Sequence, residues 1–296
     1  MPDKRPRGYQ PGWRPRLGTL DLLGAIDSVL ARYEQQLPLT IRQVWYVLLS
    51  DGVLVKAERT YKRLVDVVGM GRRSGRIAWD AIRDDSEVAV APPVFDDPQD
   101  FLERVVTAAR GFRLDRQSGQ AERIEIVCET AGMVPQIVAV ADPWGIPVYS
   151  GSGFNSLPGK RGVARRAAAG QHGAVRVLVV SDWDPSGIHL FTALAEDVAA
   201  FAAVDAPGIT VTFERIAVTE QQITDLNLPT APVKQSDHRS FPGTSTTQAE
   251  ALPPDTLARI LNHAITRRRD TDRYRQVLQQ EHEHRQTLLA RLEDRA

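Results

Sequence analysis

The chain has 296 residues, 37 Lys and Arg against 37 Asp and Glu, a formal net charge of zero and a single cysteine. That length suffices for two ordinary domains with their own cores. Zero net charge excludes a global polycation or polyanion reading, and the lone Cys128 excludes an internal disulfide and fits a reducing, cytosolic setting. No apolar run approaches the roughly 18 residues of a membrane span, so no membrane partner is expected. Charge is nonetheless uneven: the first 86 residues hold 15 Lys or Arg against 10 Asp or Glu.

Residues 1–18 are basic and proline-rich (Met1-Pro-Asp-Lys-Arg-Pro-Arg7) and read as a flexible arm suited to touching phosphates. Leu20, Leu23, Ile26, Leu30 and Tyr33 mark an amphipathic helix over 19–35. Thr40 opens a second helix that Asp51-Gly52 ends. Its stripe of Ile41, Val44, Trp45, Leu48 and Leu49 leaves Tyr46 roughly 130° from the stripe's centre, with Arg42 one turn before it. A phenol held off the core beside a guanidinium is placed to attack a phosphodiester.

A third helix is expected over 57–68, then a basic glycine-rich turn (Gly69-Met-Gly-Arg-Arg-Ser-Gly-Arg76), a helix from Ser74 to about Asp84, and a wing-like strand over Glu87 to Ala91. Short helices joined by tight turns suggest a helix-turn-helix or winged-helix module over 19–115, with Arg59, Lys62, Arg63, Arg72, Arg73 and Arg76 as its phosphate contacts. Residues 113–122 are polar and read as a linker. From Arg123 the rhythm changes to short apolar strands (124–128, 146–149, 175–180, 209–213) alternating with helices (133–141, 160–169, 185–204), the pattern of a parallel α/β sheet over 120–220. Residues 221–296 read as a loop-rich stretch followed by one or two charged helices, which pack on the body or mediate self-association.

The run Val177-Leu-Val-Val-Ser-Asp182-Trp-Asp184-Pro-Ser-Gly187 ends a buried strand with two carboxylates, and Glu129 ends an earlier strand in the same way. Sites in open α/β sheets form at such strand ends. If the strands are neighbours, three carboxylates converge in a set that suits Mg²⁺. Taken singly, Asp184 before Pro185 also reads as a plain helix cap and Glu129 as a solvated strand end. Gly153 to Lys160 fails the P-loop spacing because Pro158 stands at the second glycine. His189, His282 and His284 read as helix surface, and Ser186 has no assignable triad partner.

With Glu129, Asp182 and Asp184 on one side and Thr40-Ile-Arg42-Gln-Val-Trp-Tyr46 on the other, residues 20–215 resemble the A subunit of topoisomerase VI and the related meiotic double-strand-break transesterases, most closely the short stand-alone "mini-A" relatives. Val179-Val-Ser-Asp-Trp-Asp-Pro-Ser-Gly-Ile188 is similar to that family's Toprim segment. The resemblance implies a winged-helix domain followed by a Rossmann-like Toprim sheet and a helical C-terminal extension. It implies Tyr46 as the nucleophile that forms a 5′-phosphotyrosyl bond, helped by Arg42, with Glu129 as acid or base. It also implies Mg²⁺, with Mn²⁺ as substitute, on Glu129, Asp182 and Asp184. Double-stranded DNA is the implied substrate, cut by a homodimer in which Tyr46 of one subunit works with the acids of the other. A separate ATPase subunit is the implied partner for strand passage, and a nucleoid-associated, cytoplasmic place follows. One departure stands out: Gly151-Ser152-Gly153 occupies the place of the family's glycine-lysine-glycine. Two rival readings are a hydrolytic Toprim nuclease without a covalent intermediate and a non-catalytic DNA-binding protein.

Overall fold

The computed structural model describes residues 9–83, 92–151, 157–170, 172–233 and 239–293. The expected strand over 87–91 and the first residues of the arm lie outside them.

The N-terminal part is built from three helices, α1 (Leu17–Arg32), α2 (Ile41–Ser50) and α3 (Glu58–Arg73), and a short parallel pair, β1 (Leu39–Thr40) with β2 (Ile82–Arg83). Thr40 and Gln43 form a reciprocal capping box that fixes where α2 starts: Gln43 N–H donates to Thr40 Oγ1 at 3.1 Å, and Thr40 N–H donates to Gln43 Oε1 at 2.9 Å. Leu22, Leu23, Ile26, Val29, Val44, Leu48, Leu64 and Val68 close one core around α2. Among the described residues, 74–83 form no helix. α3 continues through the glycine-rich stretch to Arg73, and residues 74–81 turn back so that Ile77 and Ile82 join the core. Gly71 permits that return, since a Cβ there would stand 2.7 Å from Ile77 Cδ1.

α4 (Pro98–Arg110), not expected from the sequence, opens with Asp97 as its cap and has no buried residue. The polar stretch 113–122 is not a linker. Gln117 is fully buried, bonds both the N–H and the C=O of Ile124, and so splices this stretch onto the sheet.

The sheet comprises β3 (Arg123–Cys128), β4 (Val148–Ser150), β5 (Ala174–Val180) and β6 (Thr210–Ala217), all parallel, in the order β4-β3-β5-β6. The strands sort by period two. Ile124, Ile126, Cys128, Leu178 and Val180 face α5 (Val134–Ala141) and α9 (Pro254–Thr266). Val127, Val175, Val177 and Val179 face α6 (Leu157–Ala169) and α7 (Pro185–Asp205). Of the described residues, α7 alone is long and apolar enough to cross a membrane by those two criteria. The sequence expectation of no such run is corrected to that extent, while its Leu194, Val198 and Ala202 cover the sheet.

Beyond β6 come α8 (Glu220–Asp225), the hairpin β7 (Ala231–Pro232) and β8 (Ser245–Thr246), and a 3₁₀ turn at Ala249–Ala251. α10 (Thr271–Glu293) lies against the body: buried Glu281 accepts from Arg116 at 2.7 Å, from Arg285 at 2.8 Å and from the Leu114 N–H at 3.1 Å.

Candidate active site

Strand order places the first carboxylate beside the second. β3 and β5 are neighbours whose last residues pair, Cys128 with Val180, and their outgoing connections run to opposite faces of the sheet. Such a crevice is where open α/β sheets bind ligands. Glu129 leaves β3 with its N–H on the Val180 carbonyl at 2.9 Å. Asp182, two residues beyond β5, donates its own N–H to Glu129 Oε2 at 3.2 Å. Asp184 caps α7 through Oδ1, which accepts from the Gly187 N–H at 2.6 Å, with Pro185 at the first helical position. The cap reading of Asp184 therefore holds, and it leaves the second carboxylate oxygen outside that bond. Asp182 Oδ1 accepts from the Ala249 N–H at 2.8 Å, so each of the three acids has one oxygen held by backbone.

Two glycines make this packing feasible. A Cβ on Gly151 would come within 2.7 Å of Glu129 Cα, and one on Gly187 within 2.3 Å of the Asp182 carbonyl oxygen. The end of β4 and the start of α7 approach the acids more closely than any side chain allows.

The electrostatics follow from crowding. Burial, then the charges of Asp182 and Asp184, push the Glu129 carboxyl up to about 7, against the lowering effects of the Asp182 N–H and of Arg215. Asp182 is raised too, by burial first and by Asp184 after it. The three acids are near enough to repel one another. No group of three His, Cys, Asp and Glu side chains among the described residues gathers around a single centre fit for an ion.

Arg215, on β6, is the nearby counter-charge, and sequence reasoning missed it. Its guanidinium donates to the carbonyls of Asp182 at 2.9 Å and Gly187 at 2.8 Å, and faces the rings of Trp183 and Phe191. It staples the acidic loop while offsetting part of its charge. A charged residue beside buried Ile216 and Ala217 near the end of the strand is the signal that was present in the sequence.

Tyr46 departs from the expected placement. It is 2% exposed, and its Oη donates to Gln248 Oε1 at 2.6 Å. The helical wheel measured its angle from one apolar stripe, yet α2 is covered on more than one side. The segment 247–251 lies over the face that the wheel left open. Arg42 stays partly exposed beside it, 3.4 Å from Glu250, with its guanidinium over Tyr61. The expected lowering of the phenol's pKa by Arg42 is present. Burial outweighs it, and the charges of Asp182 and Glu250 add to the rise, so the phenol lies well above its ordinary value.

The segment Gln248-Ala249-Glu250 therefore joins the two halves of the site. Gln248 holds Tyr46, the Ala249 N–H holds Asp182, and buried Glu250 meets Arg42 and accepts from Thr40 Oγ1 at 3.1 Å. Thr247 anchors the segment by a two-bond bridge to Trp183. Tyr46 and Asp182 consequently sit beside each other within one chain. Nothing in the local sequence marks Gln248 or Glu250, because their role is created by a contact about 200 residues away.

Of the six basic candidates, all on α3 and the turn after it, Lys62 pairs with Glu58, Arg63 donates to the Gly18 carbonyl and Arg72 faces Trp79. Cys128 is buried and free, its thiol pushed up to about 12 by burial.

No family model matches the chain, and comparison with curated proteins and with solved structures yields no match.

Proposed function

We propose that this chain is a divalent-metal-dependent DNA double-strand-breaking transesterase of the kind its motifs resemble, with a winged-helix-like module over 19–115, a Toprim-like sheet over 120–220 and the remainder as an extension. The observation that supports this most is the meeting of Tyr46 and Arg42 with Asp182 and Glu129 across the 248–250 segment. Two motifs more than 130 residues apart in the sequence arrive at one place.

Tyr46 Oη gives up its proton to water and attacks a backbone phosphorus; the new P–O bond forms as the bond from phosphorus to the 3′ oxygen breaks, and that oxygen leaves and is protonated. Arg42 faces the developing negative charge on the phosphoryl oxygens. Glu129, whose carboxyl titrates near neutrality, holds or supplies a proton at the departing oxygen. Asp182 and Asp184, each with one oxygen already fixed by backbone, and Glu129 would be the hard donors for Mg²⁺ or Mn²⁺, the cation having to draw together three acids that share no single centre. A bound Mg²⁺ would neutralise the phosphate and stabilise the leaving oxygen. Arg59, Lys62, Arg63, Arg72, Arg73 and Arg76 contact phosphates on either side. The working form is a homodimer in the cytoplasm, associated with the nucleoid, and strand passage draws on a separate ATPase subunit.

A buried tyrosine with its hydroxyl already bonded cannot reach a phosphate, so in this reading the pocket opens when DNA binds. The same burial favours a second reading, hydrolytic cleavage at the acids with Tyr46 as a structural residue. Incubation with supercoiled plasmid and Mg²⁺, stopped with detergent, separates the two. Linear DNA retained by protein until proteolysis, and abolished by Tyr46→Phe, is the expected result. Protein-free linear or nicked DNA that persists in Tyr46→Phe means hydrolysis. Binding with no cleavage under either metal leaves a non-catalytic DNA-binding protein.

A further inference from the structure

Where the arm meets the turn after α3, two aromatic rings stand in solvent. Trp79 is 57% exposed and Tyr9 is 76% exposed, although they touch edge to face with centroids 6.4 Å apart. A tryptophan is the side chain with most to gain from burial, and an isolated domain seldom leaves one open without use. The pair is also built, not loose. The Gln10 N–H donates to the Arg73 carbonyl at 2.7 Å and lays the arm on the end of α3, and Trp13 packs on the N-terminal core. Arg72 donates to the Trp79 carbonyl at 3.3 Å and sets its guanidinium 5.6 Å from the centre of the indole ring.

The described charges near the rings lean to the positive side by a single unit, three arginines against two aspartates. Among the described side chains, Arg72, Arg73 and Arg76 precede Trp79 closely in the sequence. Against them stand Asp80, and Asp27, which faces Arg76. Exposed aromatic rings beside arginines form the kind of surface that stacks bases while neutralising phosphates. Duplex DNA hides base faces within its stack, so only an unpaired base can lie on such a ring.

We infer that Trp79 and Tyr9 form a stacking platform for unpaired bases, giving the N-terminal module a preference for single-stranded or locally opened DNA. This deepens the proposed function, resting on its reading of the module as DNA-binding, and names DNA with exposed bases as the substrate class.

The test is fluorescence anisotropy with a labelled 20-nucleotide oligo-dT and the corresponding labelled duplex, in EDTA so that no cleavage intervenes. The intact chain should bind oligo-dT at least as tightly as duplex. Trp79→Ala should weaken oligo-dT binding on the order of tenfold while leaving the dependence on salt concentration unchanged, because stacking releases no counterions. Duplex binding should move less than twofold. Tyr9→Ala should act in the same direction, and Trp79→Phe should retain most of the affinity. Trp79 is exposed, so these variants should match the parent's thermal unfolding. Unchanged oligo-dT affinity in Trp79→Ala overturns the platform, as does an equal loss on single strand and duplex. In either case, protein-linked DNA in the plasmid assay would leave the transesterase reading standing. Binding to neither nucleic acid overturns the platform together with the DNA-binding reading on which it rests.

Discussion

The acidic strand ends and the tyrosine helix solve opposite problems. The acids are assembled by short-range features: a strand that stops at Cys128, another that stops at Val180, a capped helix and two glycines that let backbone approach. They sit in a crevice with charge in excess, ready for something positive. The tyrosine is held by a distant segment, deep in a core, with its hydroxyl bonded and its ionisation suppressed. One region opens at the strand ends and the other is closed, so under the proposed transesterase reading the step that needs conformational change is access to Tyr46.

The largest effect should come from the acidic side. Asp182→Ala removes both the proposed metal donor and the acceptor of the Ala249 N–H, and on the transesterase reading should lower cleavage by a factor on the order of 10²–10³ at any Mg²⁺ concentration. Plasmid cleavage against added Mg²⁺ measures it. Ordinary cutting by the variant would remove the acids from the chemistry and dissolve the comparison.

The comparison sharpens when the two halves are separated onto different chains. Mixing Tyr46→Phe with Asp182→Ala restores cleavage only if a tyrosine works with the acids of the partner subunit, as the family resemblance implies. The intrachain link through 248–250 argues that the mixture stays inactive. Adduct formation in the mixed sample, recovered to about a quarter or more of the parental level, would mean that the link is broken when the dimer forms.

Legibility from sequence follows the same division. The strands, α5, α6 and α7, and the three acids were readable because period-two apolar runs, an N-cap with proline and carboxylates at strand ends are local patterns. Tyr46 was singled out by motif but expected off the core, since the wheel knows nothing of residues 247–251 that cover its face. Gln248 and Glu250 were invisible for that reason. The stretch 113–122 looked like a linker because glutamines signal solvent, yet Gln117 and Gln120 are buried, bonded to backbone carbonyls. The helix expected from Ser74 fails because Gly75 takes a left-handed φ of 77°, which ends α3 and turns the chain.

A smaller effect is expected where the acids' backbone is crowded. Gly187→Ala places a methyl 2.3 Å from the Asp182 carbonyl oxygen and forces the loop to shift. Overpacking of this kind costs about 1–3 kcal/mol. Thermal unfolding should show the loss, and metal-dependent cleavage should fall with it. The same substitution at Gly24, which has open space around it inside α1, should raise thermal stability by about 0.5–1 kcal/mol and leave cleavage unchanged.

On the closed side, Gln248→Ala removes the acceptor that ties down Tyr46. A hydrogen bond of this type contributes about 0.5–1.5 kcal/mol net, so the open population should rise roughly two- to tenfold. Nitration of Tyr46 by tetranitromethane, followed by mass spectrometry, reports this without any reliance on activity. The expected result is faster nitration at Tyr46 with Tyr61 unaffected. Equal rates in parent and variant would show that Gln248 is not the tether.

A pH dependence belongs to Glu129. Its carboxyl is raised in the folded chain to about 7 from an ordinary 4.5, so the folded state binds that proton more tightly than the unfolded one. The protonated form contributes stability that is fully present below about 4.5 and is lost as pH rises through 7. With EDTA present, the parent should therefore lose stability across that window, and Glu129→Gln, which keeps the shape without the charge, should lose less. Urea midpoints at pH 5 and pH 8 measure the difference. Added Mg²⁺ should offset the loss in the parent at pH 8, because a cation bound among the acids relieves the repulsion that raised Glu129. Identical pH slopes for parent and variant would place Glu129 in contact with solvent, making the acids of this crevice ordinary strand ends.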